Sequence, residues 1–196
     1  INLIENKDHD SAKQISSTIG LLDNSLLISQ AKKWIEKSNF EKFNKYFSCK
    51  RETDILGEFF FLISNLYAAE EEYEKSNFYL NISNYLNPKF YFNLSLLAED
   101  YFINNDFDSS IKILKKFNEE DEIYNWFKIK KMSQIIAKQQ DDYQSLNFIE
   151  NKFKKFKKPS SGKILDMANI YKKFKKYEKA IKHYSIALSR LDKNSD

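Results

Sequence analysis

The chain has 196 residues, 42% hydrophobic and 31% charged, which supplies a sizeable core and excludes wholesale disorder. It holds only 3 Gly and 2 Pro, against roughly 14 and 10 in a chain of average usage. That excludes most β-sandwiches, barrels and glycine-rich phosphate loops. The net charge of +4 is uneven: residues 1–100 carry 11 Lys/Arg and 15 Asp/Glu, residues 101–196 carry 21 and 13.

A chain so poor in breakers and so rich in Lys, Glu, Leu and Ile is expected to be mostly helix. One cysteine, Cys49, excludes an intramolecular disulfide or a thiolate zinc cluster. No apolar run approaches the ~18 residues of a membrane helix, and no signal peptide opens the chain. A start at Ile1 instead of Met predicts a piece of something longer. The compartment stays open between a reducing cytoplasm and a disulfide-free periplasmic or secreted setting.

In chain order, a lone helix is expected near 9–19. Five helix pairs follow: 24–37 with 40–48, 55–70 with 73–86, 89–103 with 107–118, 122–139 with 142–157, and 161–175 with 178–191. The pairs rest on a recurrence. An aromatic residue follows an acidic or Asn turn at Phe40, Tyr73, Phe107, Tyr143 and Tyr177, spaced 33, 34, 36 and 34. His9 is a weaker forerunner, 31 residues before Phe40. Three residues on stands a small residue (Ser76, Ser110, Ala180, and Ala12 after His9), and seven on a large one (Phe47, Leu80, Leu114, Tyr184). Nine before is small (Ala31, Ser64, Ala98, Ala168), and six before is aromatic (Trp34, Tyr67, Tyr101, Tyr171). Alternating small and large residues at helical spacing let two helices approach closely. Asp23-Asn24-Ser25 and Asp106 or Asp108 are expected caps, and Pro88 and Pro159 fall between pairs. The 122–157 unit fits worst, with Gln134, Leu146, Glu150 and Phe153 at the wrong positions.

This pattern resembles the tetratricopeptide repeat, most closely in GKILDMANIYKKFKKYEKAIKHYSIALSRL and GEFFFLISNLYAAEEEYEKSNFYLNISNYLNP. The likeness covers about 24–192, and the unit order is similar to bacterial members of that family. It implies one all-α domain over 1–196, a right-handed superhelical solenoid of five antiparallel pairs after an N-terminal orphan helix. It also implies a concave groove that binds a peptide or partner domain, with no chemistry required. Carried onto this chain, the groove positions are Ile28, Lys32 and Ile35; Phe61, Asn65 and Ala68; Ser95, Glu99 and Phe102; Lys131, Ile135 and Lys138; and Leu165, Asn169 and Lys172. A groove apolar early and basic late would suit an extended peptide with hydrophobic anchors and an acidic end. Asn65 matches one position of the family's carboxylate clamp. Phe61 stands where that clamp has Lys, and Glu99 repels a carboxylate, so no clamp is expected.

His9 and His183 lie far apart, and Gly20, Gly57 and Gly162 are isolated, so no enzyme, cofactor or metal site is expected. The tract 152–158 interleaves Phe153 and Phe156 with Lys152, Lys154, Lys155, Lys157 and Lys158. On a helix the two rings share a face, and the lysines could meet an anionic surface or nucleic acid. Three readings follow. The first is a non-catalytic protein- or peptide-binding scaffold. The second is a nucleic-acid or anionic-surface binder using the basic half. The third is a self-assembling segment whose uncapped ends could stack on further repeats or another copy.

Overall fold

The computed structural model describes residues 1–18 and 25–192, and no strand occurs among them. Two compact units divide the chain inside one helix: residues 1–18 and 25–128 form the first, 129–192 the second. Twelve helices are described.

The first unit opens with α1 (Asn2–Glu5) and α2 (His9–Thr18). It continues with α3 (Leu26–Glu36) and α4 (Glu41–Tyr46), then α5 (Glu52–Ala69) and α6 (Tyr73–Leu86). The pair α7 (Tyr91–Ile103) and α8 (Phe107–Leu114) completes it, with the start of α9 (Glu122–Gln139). The second unit holds the rest of α9, then α10 (Asp142–Phe153), α11 (Ser161–Lys173) and α12 (Tyr177–Asp192). Neighbours in sequence pack as pairs, α5 on α6, α7 on α8 and α11 on α12, and α6 packs on α7.

The expected pairs are all present, and the lone helix near 9–19 gains a partner that patterning missed, the short α1. Asp23 and Asn24 lie outside the described residues, while Asp106 caps α8 by accepting from the Ser109 N–H at 3.1 Å. Two expected helices stop early. The helix of 107–118 ends at Leu114 because Phe117 turns inward to stack on Tyr124, 5.3 Å between ring centres. Asp121 then begins α9 by accepting from the Ile123 and Tyr124 N–H groups. The helix of 142–157 ends at Phe153, since Pro159 and the lysines before it offer neither helical geometry nor an apolar face.

One turn recurs. Lys7, Ser38, Glu71, Asn105 and Lys175 have φ between 53° and 61°, each two residues before a turn residue: His9, Phe40, Tyr73, Phe107 or Tyr177. At each, the next N–H reaches back over five residues, to the carbonyl of Leu3, Trp34, Tyr67, Tyr101 or Tyr171. This left-handed cap satisfies helix-end carbonyls that would otherwise be orphaned. The residue six before the turn thus has two tasks: its side chain fills the inter-helix space and its carbonyl holds the turn. Leu3 and His9 obey the same rule, which makes α1–α2 a shortened member of the series. His9 stacks on Phe40, the next turn residue, at 3.9 Å.

The α9–α10 turn lacks this cap. The small and large positions of that unit fall into step if its reference is Asp142, the first residue of α10, as Tyr73, Phe107 and Tyr177 are first in theirs. Then Ser133 stands nine before, Ser145 three after and Ile149 seven after, and all three are buried. The Ser145 hydroxyl donates to the Ser133 carbonyl at 2.7 Å, so the helices meet through the two serines. The expected register was one residue late.

Serine serves as the small contact residue elsewhere too. The Ser83 hydroxyl donates to the Gly57 carbonyl and accepts from Asn93 Nδ2, joining α5, α6 and α7. The Ser110 hydroxyl donates to the Ala98 carbonyl at 2.8 Å. The Ser76 hydroxyl donates to Asp100 Oδ2 at 2.6 Å, and burial pushes the Asp100 carboxyl above the usual aspartate range. Close approach leaves room for little more than a hydroxyl, and a hydroxyl buried there must find a partner.

Candidate functional site

The groove positions inferred from the repeat divide into three groups. Some are core. Ser95 is buried and its hydroxyl donates to the Phe92 carbonyl of its own helix. Lys131 and Ile135 are buried as well. The one-residue shift explains these two: in the corrected register they stand 11 and 7 before the reference residue and not at groove positions. Lys130, Gln134 and Ala137 take their places at the surface, and Lys138, one residue past Ala137, is exposed.

A second group is half-covered. Phe61 packs 5.8 Å from Phe90 and 5.6 Å from Phe92. The Asn65 amide donates to the Phe61 carbonyl, so it is engaged with its own helix. Phe102 lies 5.8 Å from Phe107, and Glu99 is half-buried. Ile35 joins the cluster of Ile4, Ala12 and Phe43. The early groove expected to offer aromatic anchors is therefore spent on internal packing, because adjacent aromatic residues at helical spacing find each other first.

The third group surrounds a cavity of about 270 Å³ in the second unit, between α9, α10 and α11. Lys130 and Asp166 bridge it at 2.8 Å, and Gln134, Asn169 and Lys173 add polar groups to its wall. Asn169 Oδ1 accepts from the Tyr184 hydroxyl at 2.6 Å, which fixes that amide. Lys138 and Lys172 are exposed on α9 and α11. Leu165 faces a separate apolar cavity of about 360 Å³ between α11 and α12. Elsewhere in this unit, Glu150 accepts from Lys179 at 2.7 Å. Burial alone would raise the Glu150 carboxyl; hydrogen bonds from Lys179 and Tyr171 outweigh it and hold the group below the usual range.

The lysine tract is only partly helical. Lys152 lies in the last turn of α10 with its ammonium over Phe148, and Lys154, Lys155, Lys157 and Lys158 are exposed beyond Phe153. The rings turn inward: Phe153 lies 6.1 Å from His183, and the Lys163 ammonium sits 4.3 Å from the centre of Phe156. Each of the two rings thus has a partner within the protein.

The first unit has a cavity of opposite character, about 620 Å³, bordered by Glu71, Glu72, Glu74 and Asp106 with Tyr73 and Tyr101. Among the described residues, no group of three or more His, Cys, Asp or Glu is placed to hold a metal ion. No described helix is long and apolar enough to cross a membrane. No protein-family model matches the chain, and no curated protein matches its sequence.

Proposed function

We propose that this chain is a non-catalytic interaction scaffold of the tetratricopeptide kind, a right-handed stack of helix pairs that holds a peptide segment of a partner protein. Supporting this are the successive helix pairs, five of which share one left-handed turn geometry. The binding site is the polar cavity bounded by Lys130, Gln134, Asp166, Asn169 and Lys173, with Lys138 and Lys172 nearby. The observation that carries it is the excess of lysine around that cavity: Asp166 neutralises Lys130, leaving Lys138, Lys172 and Lys173 to attract a carboxylate.

A fluorescent peptide with two apolar residues followed by an acidic end tests this. It should bind, and Lys173→Glu should weaken binding by about tenfold, or about 1.4 kcal/mol. Lys158→Glu, outside the cavity, should leave affinity unchanged. Binding that ignores Lys173→Glu, or no binding at all, defeats the proposal.

A second reading rests on the exposed Lys154, Lys155, Lys157 and Lys158. They form a charge-only surface for anionic polymers or lipid, with strong salt dependence and no base preference. Anisotropy of labelled single-stranded RNA and DNA at two salt concentrations tests it, and absence of binding at low salt removes it.

A further inference from the structure

Two repeats of this chain, those of α7 and α11, contact the one before through residues drawn from the positions 14, 11 and 7 ahead of the turn residue. In α7 these are Asn93, Leu96 and Asp100: Asn93 bonds to Ser83 and Asp100 to Ser76, both on α6. In α11 they are Lys163, Asp166 and Ile170, and Asp166 bonds to Lys130 on α9. In the corrected register of α9 the equivalent positions are Lys128, Lys131 and Ile135. All nine side chains are buried or half-buried.

In α5 the same positions are Phe59, Leu62 and Leu66, and they are 55%, 56% and 70% exposed. Ile55 extends the stripe by one turn, in the 4-3-4 spacing of a single helix face. On α6, Phe78 and Tyr85 are exposed too. A chain of rings joins the two helices: Phe59 to Phe60 at 5.6 Å, Phe60 to Tyr79 at 6.1 Å, Tyr79 to Phe78 at 5.2 Å. This is one continuous apolar face left open at positions by which α7 and α11 meet a predecessor: α3–α4, the pair before it in the chain, packs toward the start of α7 instead, through Tyr46 on Tyr91 at 6.0 Å and Phe47 on Phe90 at 6.4 Å.

The reverse holds at α12. Positions 4 and 7 after the turn residue, Ile111 and Leu114 in α8 or Leu146 and Ile149 in α10, are buried or half-buried. In α12, position 4 is Ile181, 64% exposed; position 7, Tyr184, is half-buried, and Leu188 one turn beyond it is 60% exposed. Both border the apolar cavity between α11 and α12. Charge differs in sign between the two helix pairs. Residues 52–86 hold seven Asp/Glu and one Lys; residues 161–192 hold eight Lys/Arg and three Asp/Glu.

We infer that the α5–α6 face of one copy docks on the α11–α12 face of a second copy, as one repeat docks on the next. The occupant is a second copy because the exposed α5 residues stand at the positions by which α7 and α11 pack on a predecessor, and because the charges complement. Joining unlike faces is heterologous, so assembly proceeds by addition. This inference does not depend on the peptide-binding reading, since it uses neither the polar cavity nor its lysines.

Light scattering on the whole chain tests it. The average mass should rise above the 23.4 kDa of one chain as concentration increases at low salt, and fall back as salt screens the faces. Phe59→Asp and Ile181→Asp should each abolish association with helicity unchanged by circular dichroism. Mixed, the two variants still hold one intact face each, and should form a species of twice the single-chain mass that grows no further. Leu66→Glu serves as a second α5 variant should Phe59→Asp lose helicity. A wild-type protein that stays at 23.4 kDa overturns the inference. So does loss of association by the α5 variants with none by Ile181→Asp, which would mean like faces meeting, and so does a mixture that remains monomeric.

Discussion

The α5–α6 and α9–α10 pairs are built from the same parts and were not equally readable. In α5–α6 the turn residue is Tyr73, the left-handed cap is in place at Glu71, and the small and large positions sit where the spacing puts them. In α9–α10 the turn lacks the left-handed residue and the aromatic stands one place late, at the exposed Tyr143. The contrast teaches that the small residue at the helix crossing, not the aromatic at the turn, carries the register. A ring at the helix start can slide toward solvent at little cost. A serine at the crossing cannot, because any larger side chain meets the facing backbone.

The sharpest test of that contrast exchanges size at the two competing positions. Ser145→Leu forces a large side chain into the crossing with Ser133 and should destabilise the fold by about 2–3 kcal/mol. Gln134→Leu, at the position an aromatic-based register would make the crossing, should shift stability by no more than about 0.5 kcal/mol. Urea denaturation of both variants measures this, and equal losses would restore the original register.

A smaller effect separates the turns. Glu71→Gly and Lys175→Gly relieve a left-handed backbone that costs an ordinary residue about 1 kcal/mol, so each should raise stability by up to that amount. Gln140→Gly, in the turn without the cap, should gain nothing. A gain at Gln140 equal to that at Glu71 would erase the distinction.

The third test reads a pH signature in the contact between α6 and α7 that the neutral Ser133–Ser145 pair lacks. The folded Asp100 carboxyl lies above its unfolded value of about 3.9. The native state therefore holds the proton more tightly, and stability falls as pH rises from the unfolded value through the folded one. Asp100→Asn keeps an acceptor for the Ser76 hydroxyl and removes that slope. The stability of the variant relative to wild type should climb over this range and then level off. A difference that does not vary with pH would mean that burial leaves this carboxylate unpenalised.

Much of the architecture was legible because it lies in local spacing. Tyr67, Tyr101 and Tyr171 announced the pairs, and Pro88 and Pro159 their joints. The α1 helix escaped because four residues carry no period; only the Leu3 carbonyl and the cap at Lys7 reveal it. The groove was less legible. Ser95 reads as a polar surface residue, yet its hydroxyl is satisfied by its own helix and so can be buried. Lys131 was misplaced by a single residue, which on a helix is a rotation of about 100°. Phe61 could have lined a groove or packed on the next repeat, and only the positions of Phe90 and Phe92 decide between these.

The turns impose a constraint on how this chain can vary. Five of them hold a left-handed residue, and none of those residues is glycine. The strain this leaves in the native state has a counterpart in the denatured one: a polypeptide with three glycines has fewer conformations to surrender when it orders. Glutamate and lysine at such corners also keep charge where glycine would offer bare backbone.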